Sequence, residues 1–132
     1  MTEPYPGFPT PTAVFPAGAI PSLAFVPESG GNGTLLAFSQ YNHSLAQRRS
    51  SDLGLTWGAI TYPATEATGH HAGWCCPESV YDPSTNRVIL QFSNATTAKG
   101  GCDIGAEILG GVLQIQSSNR GASWTRFLNV QS

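Results

Sequence analysis

The residues able to do chemistry in this chain are few and scattered: 6 Lys and Arg, 8 Asp and Glu, 3 His and 3 Cys in 132 residues. His70-His71, Cys75-Cys76 and Cys102 are the residue types of a soft metal site. Their spacing argues otherwise, because adjacent cysteines rarely chelate one tetrahedral ion and the usual C-x₂₋₄-C pair is absent. No metal or other cofactor is expected. The cysteines instead allow one disulfide, Cys102 with Cys75 or with Cys76, and the odd count leaves one thiol over. Arg48-Arg49 is a pair of anion-binding guanidiniums. On a strand, successive side chains point to opposite faces, so one of the two is expected in solvent and the other against a neighbouring strand. His43 could donate a proton near neutral pH, although a solvated loop histidine is the plainer reading. Glu78, Asp82 and Asp103 fall at strand ends or turns without a matching motif, and Trp74 reads as packing.

The elements that position these residues are marked by a repeat. Residues 50–57 read Ser-Ser-Asp-Leu-Gly-Leu-Thr-Trp and residues 117–124 read Ser-Ser-Asn-Arg-Gly-Ala-Ser-Trp. Both fit S-x-[D/N]-x-G-x-[S/T]-W, and repetition over such a distance points to an array of similar units. Asp52 or Asn119 can accept backbone N–H groups in an Asx-turn, while Gly54 or Gly121 supplies a left-handed backbone. The hydroxyls of Ser50 and Thr56, or Ser117 and Ser123, can tie off turn backbone, and Trp57 or Trp124 is expected to fold over the hairpin. The pattern is a structural clasp that says little about chemistry.

Composition agrees with many short strands. Charged residues make up 11% of the chain, well below the roughly 25% of average soluble domains, and 15 Gly and 10 Pro supply turns. A net charge of −2 without clustered basic residues excludes a nucleic-acid partner. No apolar run is long enough for a transmembrane helix. Residues 1–16 are Pro-rich and lack the basic start and apolar core of a signal peptide. Sequons at Asn32, Asn42 and Asn94 hint at N-glycosylation and a secretory, lysosomal or extracellular location.

Strands are expected over 20–26, 34–40, 45–49 and 59–62, making one four-stranded unit, and over 76–81, 87–93, 112–117 and 124–130, making most of a second. Turns fall at 28–33 and 82–86, loops at 65–73 and 95–102, and a short helical turn at 104–109. Two domain segments result, a Pro-rich lead over 1–16 and an all-β body over 17–132.

The repeated pattern resembles the Asp-box of sialidases and of several unrelated β-propeller proteins. The flanking residues are more specific. Ala19-Ile20-Pro21, Thr34-Leu35-Leu36-Ala37-Phe38, Arg48-Arg49-Ser50 with the first box, Tyr81-Asp82 through Val88-Ile89-Leu90-Gln91-Phe92, and Lys99-Gly100-Gly101-Cys102 resemble the N-terminal part of exo-α-sialidases, the lysosomal-type animal enzymes in particular. That resemblance implies an all-β, six-bladed propeller of which this chain covers about two blades. It also implies a family activity, hydrolysis of terminal α-linked sialic acid from glycoproteins, glycolipids or oligosaccharides.

In such enzymes three Arg clamp the sialic acid carboxylate, Tyr is the nucleophile, Glu accepts its proton and Asp is the acid and base. Here the position of the first clamp Arg is Ala19, and the 39–44 loop that should carry the Asp has no carboxylate, only His43 as a titratable group. The other catalytic residues belong to later blades. The resemblance therefore implies a piece that is inactive alone and would meet sialylated glycoconjugates only within a complete propeller. Open blade edges would favour self-association. The alternative is a non-catalytic Asp-box propeller that binds glycans or proteins.

Overall fold

The computed structural model describes residues 13–17, 19–41, 44–64, 74–94, 111–125 and 128–131. These residues form an all-β structure of seven strands: β1 (Ala19–Pro27), β2 (Gly33–Tyr41), β3 (Ser44–Ser50), β4 (Trp74–Asp82), β5 (Arg87–Asn94), β6 (Val112–Ser117) and β7 (Leu128–Gln131). They make two antiparallel sheets, ordered β1-β2-β3 and β4-β5-β6-β7, with every strand beside its sequence neighbour. No helix occurs among the described residues. None, accordingly, is long and apolar enough to cross a membrane.

Period-two alternation sets the faces. In the first sheet Ala24 and Val26 of β1 and Leu36 and Phe38 of β2 are buried together, while Leu23 and Phe25 on the other face of β1 are exposed. Val88, Leu90 and Phe92 of β5 and Ile115 of β6 line the buried face of the second sheet, and the two sets form one core with Leu45, Ala64 and Trp74. The Trp74 and Phe92 rings lie 5.4 Å apart at 57°, a tilted aromatic contact of the favoured kind. Ser22 and Ser79 add a polar link between the sheets: the Ser79 N–H donates to Ser22 Oγ at 2.9 Å.

The repeat extends beyond the eight-residue motif to the whole sheet. In β1 the register shifts between Ala19 and Ser22, across Ile20-Pro21. In β4 it shifts between Cys75 and Glu78, across Cys76-Pro77. A proline has no N–H to give the ladder, and a bulge is where a strand tolerates it. Leu35 opposite Ser50 then corresponds to Val88 opposite Ser117, so the two sheets run in equivalent register from the bulge to the motif.

Two expected strands come out shorter. Over 59–62 only Thr61 pairs, through one antiparallel bridge to Gln47 with two 2.8 Å hydrogen bonds. The reason is local: Arg48 takes the carbonyls of Trp57 and Gly58 with its guanidinium, and Pro63 has no donor. At the other end, Trp124 and Thr125 are not in a strand, and β7 begins at Leu128. The loop at 65–73 and the helical turn at 104–109 lie outside the described residues, as do the Pro-rich residues 1–12.

Candidate functional site

Each clasp is built from the same bonds. In the first, Ser50 Oγ accepts the Gly54 N–H at 2.8 Å, and Asp52 Oδ1 accepts the Thr56 N–H at 2.9 Å and the Ser50 hydroxyl at 2.7 Å. The Thr56 hydroxyl donates to Asp52 Oδ2. In the second, Ser117 Oγ accepts the Gly121 N–H at 2.8 Å, Asn119 Oδ1 accepts the Ser123 N–H at 2.9 Å, and Asn119 Nδ2 donates to the Ser123 hydroxyl at 2.7 Å. Leu53 and Gly54 both have positive φ, 58° and 89°, and so do Arg120 and Gly121, 56° and 76°. Two successive left-handed residues are the mark of a type I′ turn, so the residue before each glycine is left-handed as well, which the S-x-[D/N]-x-G pattern does not show.

The two clasps differ in charge. Hydrogen bonds from the Thr56 hydroxyl first, then from the Thr56 N–H and the Ser50 hydroxyl, lower the Asp52 carboxyl from 3.8 to about 2. Its contribution to stability is complete above the unfolded value and is lost as pH falls through the folded one. Acid should therefore loosen the first clasp between pH 3.8 and about 2 and leave the Asn119 clasp intact. Amide shifts of Gly54 and Thr56, against those of Gly121 and Ser123, would report it, and Asp52→Asn should abolish the acid step. Equal acid shifts in both clasps would refute this assignment. Asp82, expected as a solvated carboxylate, is likewise lowered, first by the Ser84 hydroxyl and then by that of Thr85, and caps the 82–86 turn.

The tryptophans do not behave as hairpin lids of equal kind. Trp124 reaches across to the first sheet, its ring meeting Phe38 edge-on at 5.7 Å and 75°, and its Nε1–H donates to Gln47 Oε1 at 2.8 Å. Gln47 Nε2 in turn donates to the Gly121 carbonyl at 2.9 Å. The Gln47 side chain, 1% exposed, is thus the joint between the first sheet and the second clasp. Arg120 adds an ion pair to Glu28 at 2.7 Å, worth little at the surface. The sequence carried a signal for Gln47 that the reading missed: a glutamine stands three residues before the clasp serine in both copies, Gln47 and Gln114.

The remaining candidates separate by environment. Arg48 is committed to structure: beyond the Trp57 and Gly58 carbonyls, its Nη1 donates to the Val14 carbonyl at 2.6 Å. Arg49 is the exposed member of the pair, and among the described residues its guanidinium makes neither a hydrogen bond nor an ion pair, although its carbonyl accepts the Gly58 N–H. It borders a cleft of about 520 Å³ with Thr34, Ser51, Thr56, Trp57 and Thr61. A second, of about 220 Å³, shares Arg49 and Thr61 and continues to Tyr62 and Trp124.

Cys75 is disulfide-bonded and Cys76 carries a free, half-buried thiol, so of the two pairings considered Cys76 is not the bonded partner. Trp74 is wholly buried, as packing requires, and Glu78 is exposed. Asn32 is exposed in the turn after β1, whereas Asn94 is half-buried, with its Oδ1 buried and without a hydrogen-bond partner. Asn42, His43, His70, His71, Cys102 and Asp103 lie outside the described residues. Among the described residues no three His, Cys, Asp or Glu side chains come together in a way that could hold a metal.

The class defined by this geometry is an all-β protein of two meander sheets, each closed by a Ser–Asx clasp. No protein-family model matches the chain, and no curated protein matches it.

Proposed function

We propose that the chain is part of a sialidase-type β-propeller, its two sheets being successive blades. One observation carries this reading: two clasps with the same hydrogen-bond network close sheets of equivalent register, beside flanking segments that resemble sialidases. The family's activity is hydrolysis of terminal sialic acid. That chemistry needs a carboxylate clamp and an acid, and here the corresponding positions are Ala19 and residues 39–44, which hold no carboxylate and which, expected as a loop, are instead paired strand at 39–41 and 44. Arg48, occupied by three carbonyls, does not replace the missing clamp. Residues 1–132 are therefore expected to release no fluorophore from a fluorogenic sialoside at any pH between 4 and 8, roughly the range where His and carboxyl catalysts operate. Turnover abolished by a sialidase inhibitor would overturn the expected inactivity of residues 1–132.

The second reading is a non-catalytic glycan-binding or protein-interaction module. It is favoured by the free guanidinium of Arg49 at the mouth of a cleft, a feature the clasp does not need.

A further inference from the structure

What the two clasps share is what folding requires; what only one of them has invites a different explanation. The cleft beside the second clasp is about 240 Å³ and is bordered by Val26 of the first sheet and by Arg120, which is neutralised by Glu28. The cleft beside the first clasp is about 520 Å³, within the roughly 300–1,000 Å³ usual for small-molecule sites. Its cation is free. The residue that occupies the Arg49 position in the second copy is Gln116, whose Oε1 accepts a hydrogen bond from Arg87 at 3.0 Å. So among the described arginines Arg48, Arg87 and Arg120 are each held by a protein group, and Arg49 is not.

The lining around Arg49 has three kinds of group. A guanidinium binds carboxylate or sulfate in a bidentate, charge-assisted way. An indole, here Trp57, offers a flat apolar face of the size of a pyranose ring. Ser51 and Thr61 are exposed on the border of the cleft: the Ser51 hydroxyl can exchange hydrogen bonds with a polyol, and the Thr61 hydroxyl, which donates to the Gln47 carbonyl at 3.5 Å, can accept one. A nucleotide also brings hydroxyls and a stacking base, but a phosphate monoester carries close to two negative charges at neutral pH against the single cation of this lining; a phosphopeptide has the same mismatch, and a lipid surface needs more than one cation.

We infer that the Arg49 cleft is a binding site for acidic saccharides, the anionic group on Arg49 and a sugar ring against Trp57. The site rests on the glycan-binding side of the reading above but not on catalysis, since it lies at the clasp end of the sheet. The Ala19 and 39–44 positions are at the opposite end.

The test is a titration of the 132-residue chain with 3′-sialyllactose, a sulfated disaccharide and lactose, followed by tryptophan fluorescence and amide NMR. Acidic saccharides should shift Trp57 and the amides around Arg49, with lactose at least about tenfold weaker. Arg49→Ala should weaken acidic saccharides by at least about tenfold at an unchanged melting temperature, and Arg87→Ala should leave them alone. Preference for the sialylated or the sulfated ligand would name the anionic group and supports the site either way. Equal binding of lactose, competition by inorganic sulfate at the saccharide's own concentration, no binding, or affinity that survives Arg49→Ala would each overturn it. The last of these would leave the family reading standing, and sialoside turnover would overturn the inactivity while leaving the cleft untouched.

Discussion

Gln47→Ala should cost about 2–4 kcal/mol of stability, which lowers the melting temperature by roughly 10 °C for a chain of this size. Truncation removes both bonds of the joint at once. The Gly121 carbonyl loses its donor and Trp124 Nε1–H its acceptor, and a cavity opens under a side chain that is 1% exposed. Gln114→Ala, at the matching position of the second sheet, breaks one half-buried bond from Gln91 and should cost less than about 1 kcal/mol. Thermal unfolding of the two variants is the comparison, and similar losses would show that Gln47 does not join the sheets.

Gly121 and Gly54 provide a second pair with opposite outcomes. Both have positive φ, so alanine at either pays a left-handed penalty of about 1 kcal/mol. At Gly54 the added Cβ meets nothing closer than 3.5 Å, an ordinary contact. At Gly121 it meets Gln47 Nε2 at 2.9 Å and Leu36 Cδ2 at 3.0 Å, and the glutamine cannot retreat without breaking its bond to the Gly121 carbonyl. Gly121→Ala should therefore lose about 3 kcal/mol against about 1 for Gly54→Ala. Chemical denaturation measures both, and the strained variant should also shift the Trp124 indole N–H resonance. An equal loss in both would mean that the second clasp does not pack against the first sheet.

The strands were legible because alternation and turn residues are written locally: β2 and β5 each lie within a residue or two of where alternation and Gly or Asp-Pro turns put them. The clasp was legible for the same reason, since all its bonds span two to four residues. The fate of 59–62 was not, because it depends on whether Arg48 claims the next segment's carbonyls, which no pattern of apolar residues encodes. Nor was the direction of Trp124 visible. Folding over its own hairpin and reaching Phe38 are equally compatible with S-x-N-x-G-x-S-W, and the choice is made by Gln47, more than seventy positions away in the chain. Strand alternation splits Arg48 from Arg49, but which of them faces water is decided by the carbonyls of Val14, Trp57 and Gly58.

The joint at Gln47 also has a kinetic meaning. Strands within each sheet pair with their immediate neighbours in sequence, whereas the bonds that unite the sheets span 57, 74 and 77 residues. Closing such long loops is slow compared with forming a meander. Each sheet is thus expected to assemble first, with docking as the late event. Loss of the joint is then expected to speed unfolding more than it slows folding, so that the Gln47 amide sets part of the lifetime of the docked state.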